Sequence, residues 1–193
     1  FELNCVTVKL TRPLDPGMSV DTVVLAAADG ADDLADRLTV TAADVADPSD
    51  AEIVFAHVFD EDEYETARSR LNLAADAEVT PTAIAERKAT VRDLDDALAG
   101  LGLDARADGR LSDGASRGQR LVELADEIDA DMIVLGGRGR SPAGKALFGS
   151  TTQEVLLGSP CPVTFVRAAS PLARPAHGLT PPRRAPSRPE QSR

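Results

Sequence analysis

The chain has 193 residues, of which 42 % are apolar, so it has enough apolar residues for the core of one domain of about 150 residues. Its 32 acidic and 21 basic residues give a net charge of −11, which argues against a non-specific nucleic-acid-binding protein, because such proteins present a basic face to phosphates. No apolar stretch approaches the roughly 20 residues that span a bilayer, and no secretory signal is visible, so we expect a cytoplasmic protein without membrane contact.

The first predicted element is an N-terminal extension, residues 1–17, which shows no clean hydrophobic period. It is either a short native arm or a non-native segment upstream of the true start at Met18. The continuous apolar run Thr22–Ala28 then predicts a strand covered on both faces. Helical spacing predicts a helix over Asp32–Asp44, and Ile53–Phe59 is a second apolar strand.

A polar, acidic stretch follows over residues 60–80, and its charge run Asp60–Glu63 indicates a solvated loop rather than a metal site. We predict one long helix over Pro81–Ala99, because Thr80 is a good N-cap and proline suits the first helical position. Leu103–Ala107 is a weaker strand, and its polarity indicates an exposed or edge position.

The C-terminal half continues the alternation. Apolar spacing predicts a helix over Ser116–Ile128 and a strand over Met132–Leu135. A further helix is predicted over Ser150–Leu157, followed by the last strand, Val163–Val166. Residues 168–193 are rich in proline and arginine and predict a disordered tail, since this composition cannot bury enough apolar surface to offset the entropy of ordering.

Regular alternation of apolar strands and helices predicts a doubly wound α/β domain over residues 18–167, with a five-stranded parallel sheet and helices on both faces. In such folds a ligand binds beyond the carboxyl ends of the strands, where the strand order reverses. The candidate positions are therefore Asp29–Gly30, Val58–Asp60 and the segment from Gly136 onward.

The segment after the fourth predicted strand indicates a phosphate-binding cradle. Glycines at positions 136, 137 and 139 allow backbone amides to approach a ligand closely, and Gly149-Ser150-Thr151 opens a helix whose N-terminus favours an anion. Three basic residues lie between them: Arg138, Arg140 and Lys145. A glycine-rich turn with Ser150 as a helix cap explains the glycines equally well.

The same segment does not match two other nucleotide-binding motifs. Gly139-x4-Gly144-Lys145 resembles a P-loop, but Ala146 stands where a Ser or Thr would hold Mg²⁺. A dinucleotide fingerprint fails because Pro142 replaces its third glycine. The two Cys and two His residues form no ligand cluster, so we predict no metal site in the protein itself.

The spacing Gly136-x2-Gly139-x9-Gly149-Ser150 matches the nucleotide-binding signature of the universal stress protein family. The stretches Asp131–Gly136, Leu147–Ser150 and Ser159–Val163 also resemble that family, and the resemblance covers residues 20–167. It implies the adenine nucleotide alpha hydrolase-like fold and a ligand, ATP with Mg²⁺.

Carried over residue by residue, the resemblance implies a nucleotide site. Gly136 and Gly139 would approach the ribose and phosphates, and Asp29 would face the nucleoside, although a turn or N-cap role also fits it. Val58 would hold adenine through its backbone, and Leu135 would line the pocket. The remaining members of this predicted set are the phosphate-binding Gly149, Ser150 and Thr151 and the phosphate neighbours Arg138 and Arg140.

This chain departs from the family pattern near Asp29. Ala27 and Ala28 precede it where relatives often carry Pro or Val and then Thr, and Ala31 replaces a frequent Ser. The loss of a hydroxyl leaves the orientation of the nucleoside open.

The functional expectation is an ATP-binding regulatory module of the stress response with an unidentified protein partner. The alternatives are a slow or partner-dependent ATP hydrolase and a nucleotide-free structural dimer module. We predict no catalytic residues, because no general base or water-positioning residue is evident beside the cradle. The resemblance also implies a homodimer through Val163–Val166, an edge whose unpaired backbone groups a second chain would complete.

The charge distribution suggests a halophilic protein. The tail has five arginines against one glutamate and residues 1–17 are balanced, which leaves −15 on residues 18–167, and only three basic residues of the whole chain are lysines. Salt screens repulsion among such carboxylates. We therefore expect the free energy of unfolding, measured by denaturant titration, to fall on dilution from molar to low salt. Unchanged stability would contradict the halophilic hypothesis.

Overall fold

The computed structural model describes six stretches of the chain: 5–8, 20–27, 34–46, 51–71, 79–137 and 149–167. The predicted tail and most of the predicted N-terminal extension lie outside these residues.

The described residues form six strands and six helices. In the first half these are β1 Cys5–Val8, β2 Thr22–Ala27, α1 Ala35–Ala46, β3 Glu52–Phe59, α2 Glu61–Arg70 and α3 Pro81–Ala85. In the second half they are α4 Ala89–Ala99, β4 Ala105–Leu111, α5 Arg117–Glu127, β5 Met132–Gly137, α6 Ser150–Gly158 and β6 Val163–Arg167.

The strands form one sheet in the order β1-β6-β5-β2-β3-β4. Strands β2 to β6 are parallel, which confirms the predicted five-stranded doubly wound sheet, and β1 is added antiparallel along the outer side of β6. The chain runs outward from β2 through β3 to β4 and then returns to β5 on the other side. The strand order therefore reverses between β2 and β5.

Side chains alternate between the two faces of the sheet, as the pleat requires. On one face, Leu25 and Phe55 pack with Leu38 of α1 and Leu98 of α4. On the other face, a second cluster packs beneath α5 and α6, and its members include Val24, Val58, Leu121, Leu135 and Phe165. Each fully buried Leu or Phe contributes about 1.5–3 kcal/mol of hydrophobic free energy. Both faces of the sheet are covered, which explains the continuous apolar runs of the sequence.

The acidic stretch after β3 is a helix, so the prediction of a solvated loop at Asp60–Glu63 was wrong. The Asp60 side chain accepts a hydrogen bond from the backbone N–H of Glu63 and caps α2, which begins at Glu61. Three acidic residues occupy the first turn and Arg68 and Arg70 the last, an order that suits the helix dipole. None of the α2 residues is fully buried, but Tyr64 and Ala67 pack against the cluster of Phe59, Ile84 and Ala85.

The predicted long helix Pro81–Ala99 is two helices. Thr80 caps α3 as predicted, but the helix ends at Ala85, and Lys88 adopts extended geometry (φ −67°, ψ 133°) before α4. The break turns α3 toward β4, where Gly109 accommodates it. A Cβ on Gly109 would lie 2.3 Å from the carbonyl oxygen of Pro81, so this contact requires glycine. Strand β4 consequently reaches Leu111, beyond the predicted Leu103–Ala107.

The last strand is not the open edge that the sequence suggested. Cys5–Val8 pairs with it residue for residue, from Cys5 opposite Val166 to Val8 opposite Val163. The prediction missed β1 because an edge strand of four residues has too few side chains to show a period.

Candidate functional site

The candidate site lies where the strand order reverses, at the carboxyl ends of β2 and β5. Ala26 pairs with Leu135, and Ala27 pairs with Gly136. Beyond these pairs the crossovers leave in opposite directions, toward α1 from β2 and toward α6 from β5. A crevice at such a point is the usual ligand position in a doubly wound sheet.

The N-terminus of α6 provides hydrogen-bond donors. Gly149 is the N-cap residue and gives no side-chain cap, and the first intrahelical bond runs from the Gln153 N–H to the Gly149 carbonyl. The amides of Ser150, Thr151 and Thr152 therefore precede the helical ladder and have no backbone acceptor among the described residues. These donors and the positive end of the helix dipole favour an anion.

Glycines bring the strand end and the helix start together. A Cβ on Gly137 would lie 3.0 Å from the Phe165 ring and 3.5 Å from the Thr152 hydroxyl of α6. A Cβ on Gly136 would lie 2.7 Å from Leu38 of α1. The sequence suggested that these glycines serve a ligand, and the structure gives them a packing role on both faces of the sheet.

Gly149 differs from these two glycines. Among the described residues other than its chain neighbours, no heavy atom would lie within 4 Å of a Cβ added there, and its φ of −70° and ψ of 166° suit any residue. Fold and backbone geometry therefore do not require glycine at this position. A ligand bound above the amides of α6 would explain why this position is glycine.

The structure places the other predicted residues as follows. Val58 is 5 % exposed, with its side chain in the cluster beneath α5 and α6 and its backbone paired with Arg110 of β4. Leu135 is buried in the same cluster, so its side chain lies in the core. Ser150 is exposed and Thr151 half-buried at the start of α6. Four predicted residues lie outside the described residues, and their roles stay predictions: Asp29, Arg138, Gly139 and Arg140.

Sequence reasoning missed a group of charges near the end of β3, which we call the Glu63 cluster: His57, Asp60, Glu63, Lys88 and Arg117. The Oε1 atom of Glu63 lies 2.7 Å from Lys88 Nζ and 2.9 Å from His57 Nε2, and its Oε2 lies 3.0 Å from Arg117. Arg117 also donates to Asp60 at 2.7 Å. The cluster joins β3, α2, the turn before α4, and α5.

The carboxylates of the Glu63 cluster are stabilised in their ionised form. Burial raises the pKa of Glu63, but hydrogen bonds from Lys88 and His57 outweigh burial and lower the pKa below its ordinary value. The hydrogen bond from the Glu63 N–H lowers the pKa of Asp60, and Arg117 adds to this effect. In the sequence, Asp60 and Glu63 have the spacing of a capping box, and this spacing could have predicted the start of α2.

A sequence model described as the universal stress protein family matches residues 22–167. The chain belongs to this family. The match covers every described strand and helix after β1, which places the reversal between β2 and β5 inside the family domain.

Two curated relatives in the same family match shorter stretches. The universal stress protein of Mycolicibacterium smegmatis is 41 % identical over 54 residues, 28 % of this chain and 42 % of that protein. The universal stress protein in the QAH/OAS sulfhydrylase 3′ region of Thermus aquaticus is 39 % identical over 49 residues, 25 % of this chain and 36 % of that protein. The matched stretches therefore span less than half the length of either relative.

Solved structures of this family share the fold. A universal stress protein from Archaeoglobus fulgidus is 26 % identical, with a TM-score of 0.54 over 75 % of this chain and 97 % of its own. A universal stress protein in complex with cAMP is 24 % identical (TM-score 0.52; 79 % and 100 % covered). A universal stress protein from Archaeoglobus fulgidus in complex with dAMP is 21 % identical (TM-score 0.52; 76 % and 98 % covered).

The described residues contain neither a membrane-spanning helix nor a group of metal ligands. None of their helices is long and apolar enough to cross a membrane. Within the same residues, no three His, Cys, Asp or Glu side chains are grouped so as to hold a metal ion.

A substitution of Glu63 tests whether the ionised carboxylate of the Glu63 cluster stabilises the fold. Because the pKa of Glu63 is lowered in the fold, its ionised form stabilises the protein above about pH 4.5, its ordinary value, and this contribution is lost as pH falls through the lowered value. We expect Glu63→Gln to reduce the free energy of unfolding by about 1–2 kcal/mol at pH 7, with the difference shrinking as pH falls through the lowered pKa of Glu63. Urea unfolding from pH 7 to 3 measures it.

The matched control is Glu65→Gln on the same helix, whose carboxylate is 66 % exposed and lies 3.7 Å from Arg68. It should have little effect at any pH. A loss at Glu63 that is the same at pH 3 and pH 7 would show that the ionised cluster does not stabilise the fold.

Proposed function

We propose that this protein binds ATP with Mg²⁺ in the crevice between β2 and β5 and acts as a regulatory module of the cytoplasmic stress response. The observation that carries the proposal is the position of the first turn of α6. Its amides lie beside the end of β5 at the point where the strand order reverses, and no described residue other than its chain neighbours would lie within 4 Å of a Cβ added at Gly149.

The glycine spacing supports a nucleotide rather than a smaller anion. Gly136 and Gly149 are both described, and they place one end of the signature at a strand terminus and the other at a helix N-terminus. Proteins of the same fold have been solved in complex with cAMP and dAMP, so this architecture can accommodate an adenine nucleotide. Mg²⁺ would enter with the triphosphate, since it usually binds substrate phosphates and only one or two carboxylates.

Binding without rapid hydrolysis is favoured by the residues at the crevice. Those described there are small or apolar, or carry a hydroxyl: Ala26, Ala27, Leu135, Gly136, Gly137, Gly149, Ser150 and Thr151. None of these has a side chain that can act as a general base at neutral pH, and a hydrolase needs such a group or another means of orienting water.

Replacing Gly149 tests the site. Gly149→Val should weaken ATP binding at least tenfold, about 1.4 kcal/mol, because the added side chain fills the space above the amides of α6. The fold should tolerate it, since the backbone of Gly149 is extended and no described residue other than its chain neighbours lies within 4 Å of its Cβ position. Isothermal titration with Mg·ATP measures affinity, and thermal unfolding checks the fold.

The matched control is Leu157→Val, which introduces the same residue into α6 at an exposed position away from its N-terminus. It should bind ATP like the unmodified protein. Normal ATP affinity in a folded Gly149→Val variant would overturn the proposed site. Sustained phosphate release by the unmodified protein that Gly149→Val abolishes would instead support the hydrolase.

We also propose that a homodimer forms through β6 when β1 leaves it. The outer edge of β6 is paired with Cys5–Val8 over four residues. A second copy would need the same backbone groups, because a strand has one hydrogen-bonding edge on each side and β5 occupies the other. Intramolecular pairing by β1 and dimerisation through β6 therefore compete.

Removal of β1 tests this competition. Deletion of residues 1–8 should increase the dimer fraction measured by size exclusion with light scattering. A full-length variant carrying Val6→Pro and Thr7→Pro should also increase the dimer fraction. Successive N–H groups of a strand point to opposite edges and proline has no N–H, so one of the two prolines removes a hydrogen bond to β6. Thr7→Val, which retains a strand-forming residue, is the control. An unchanged oligomeric state in both altered chains would contradict a dimer through β6.

A further inference from the structure

A cavity of about 450 Å³ lies between α2 and the segment from Ile84 to Lys88. It is on the face of the sheet opposite to the Val58 side chain, because Phe59, the next residue of β3, packs with Ile84. Its volume lies within the range of about 300–1,000 Å³ that small-molecule sites occupy. The cavity is therefore separate from the crevice between β2 and β5.

The lining of the cavity is amphipathic. Ile84, which is 2 % exposed, provides apolar surface together with Leu71 and Ala67 of α2. Arg70 comes from the last turn of α2, and Arg87 follows α3, so arginines line the cavity from two different elements. An apolar surface between two guanidinium groups suits a ligand with an apolar body and an anionic head.

The charge balance of the cavity favours an anion. Glu63 lines it, but both oxygens of its carboxylate are already held by Lys88, His57 and Arg117. Asp62 is the other acidic lining residue. Arg70 and Arg87 form no ion pair with any described carboxylate, and Arg87 donates instead to the carbonyl of Ala83. Their remaining donors are arranged as forks that match a carboxylate or a phosphate.

We propose that this cavity binds a small amphiphilic anion, with its carboxylate or phosphate head on Arg70 and Arg87 and its apolar body against Ile84 and Leu71. Carboxylates and phosphates both match the fork of donors on a guanidinium group. The relative affinities of a carboxylate probe and a phosphate probe therefore identify the head group. The site is independent of the proposed nucleotide site, and a ligand here should bind whether or not ATP is present.

The test uses four probes with one tail: octanoate, octyl phosphate, octanol and octylammonium. Each is titrated into the full ¹⁵N-labelled chain and followed by amide chemical shifts. The two anions should shift amides of α2 and of residues 84–88, and the tighter of them identifies the head group. Octanol should bind at least tenfold more weakly than the tighter anion, and octylammonium should cause no shift there. Saturating Mg·ATP should not displace the anions.

Variants separate this site from general surface binding. The double variant Arg70→Gln and Arg87→Gln should weaken binding of the tighter anion about tenfold, because both charge-assisted contacts are lost. Arg68→Gln is the control: it removes one positive charge from the same helix outside the cavity lining. Octanol binding as tightly as octanoate, shifts confined to other elements, or unchanged affinity in the folded double variant would each overturn the proposal. Competition by ATP would also overturn it, whereas a loss of ATP binding elsewhere would not affect it.

Discussion

The close packing of bare backbone at the end of β5 is the constraint on which the rest of the structure depends. A Cβ on Gly136 would lie 2.7 Å from the Leu38 side chain of α1, and a Cβ on Gly137 would lie 3.0 Å from the Phe165 ring of β6. A larger residue at either position would require these side chains to shift. Because interiors pack to crystalline density, such a shift would spread to neighbouring elements.

This packing also shapes the crevice that we propose as the ligand site. It seats α1 and the first turn of α6 on opposite faces of the same strand end, beside the last pair of β2 and β5, Ala27 and Gly136. The helix amides thus point toward a crevice whose described walls are small and uncharged. An anion there exchanges hydration for fixed dipoles, which offsets the cost of bringing it to a protein with a net charge of −11.

Strong periodic signals in the sequence were sufficient for the parallel sheet and its helices. Apolar runs such as Ile53–Phe59 lie on strands covered on both faces, and Ser116 caps α5 at the predicted helix start. The prediction was wrong where contacts between distant segments determine the bounds or the pairing of an element. Nothing local shows that α3 must end at Ala85 to pack on Gly109, or that four residues near the N-terminus pair with β6.

For the candidate site, the spacing of the glycines predicts a ligand position, and this stays a prediction. A Cβ on Gly136 would contact Leu38, whereas no described residue other than its chain neighbours lies within 4 Å of a Cβ on Gly149. A sequence cannot distinguish a glycine that accommodates a neighbouring side chain from one that accommodates a ligand. The Glu63 cluster was missed for a related reason, since its members come from four separate segments that only the fold brings together.

Amide chemical shifts of the full chain with and without Mg·ATP test the nucleotide site most directly. Binding in the crevice between β2 and β5 predicts that the largest changes fall on Ala27, Gly136 and Gly137 and on the first turn of α6, Gly149–Thr152. Amides on α4 and β4, which lie away from the reversal, should stay unchanged. Saturation with Mg·ATP that leaves the β5 and α6 amides unshifted, or that shifts only the α2 side of the sheet, would contradict the proposed site.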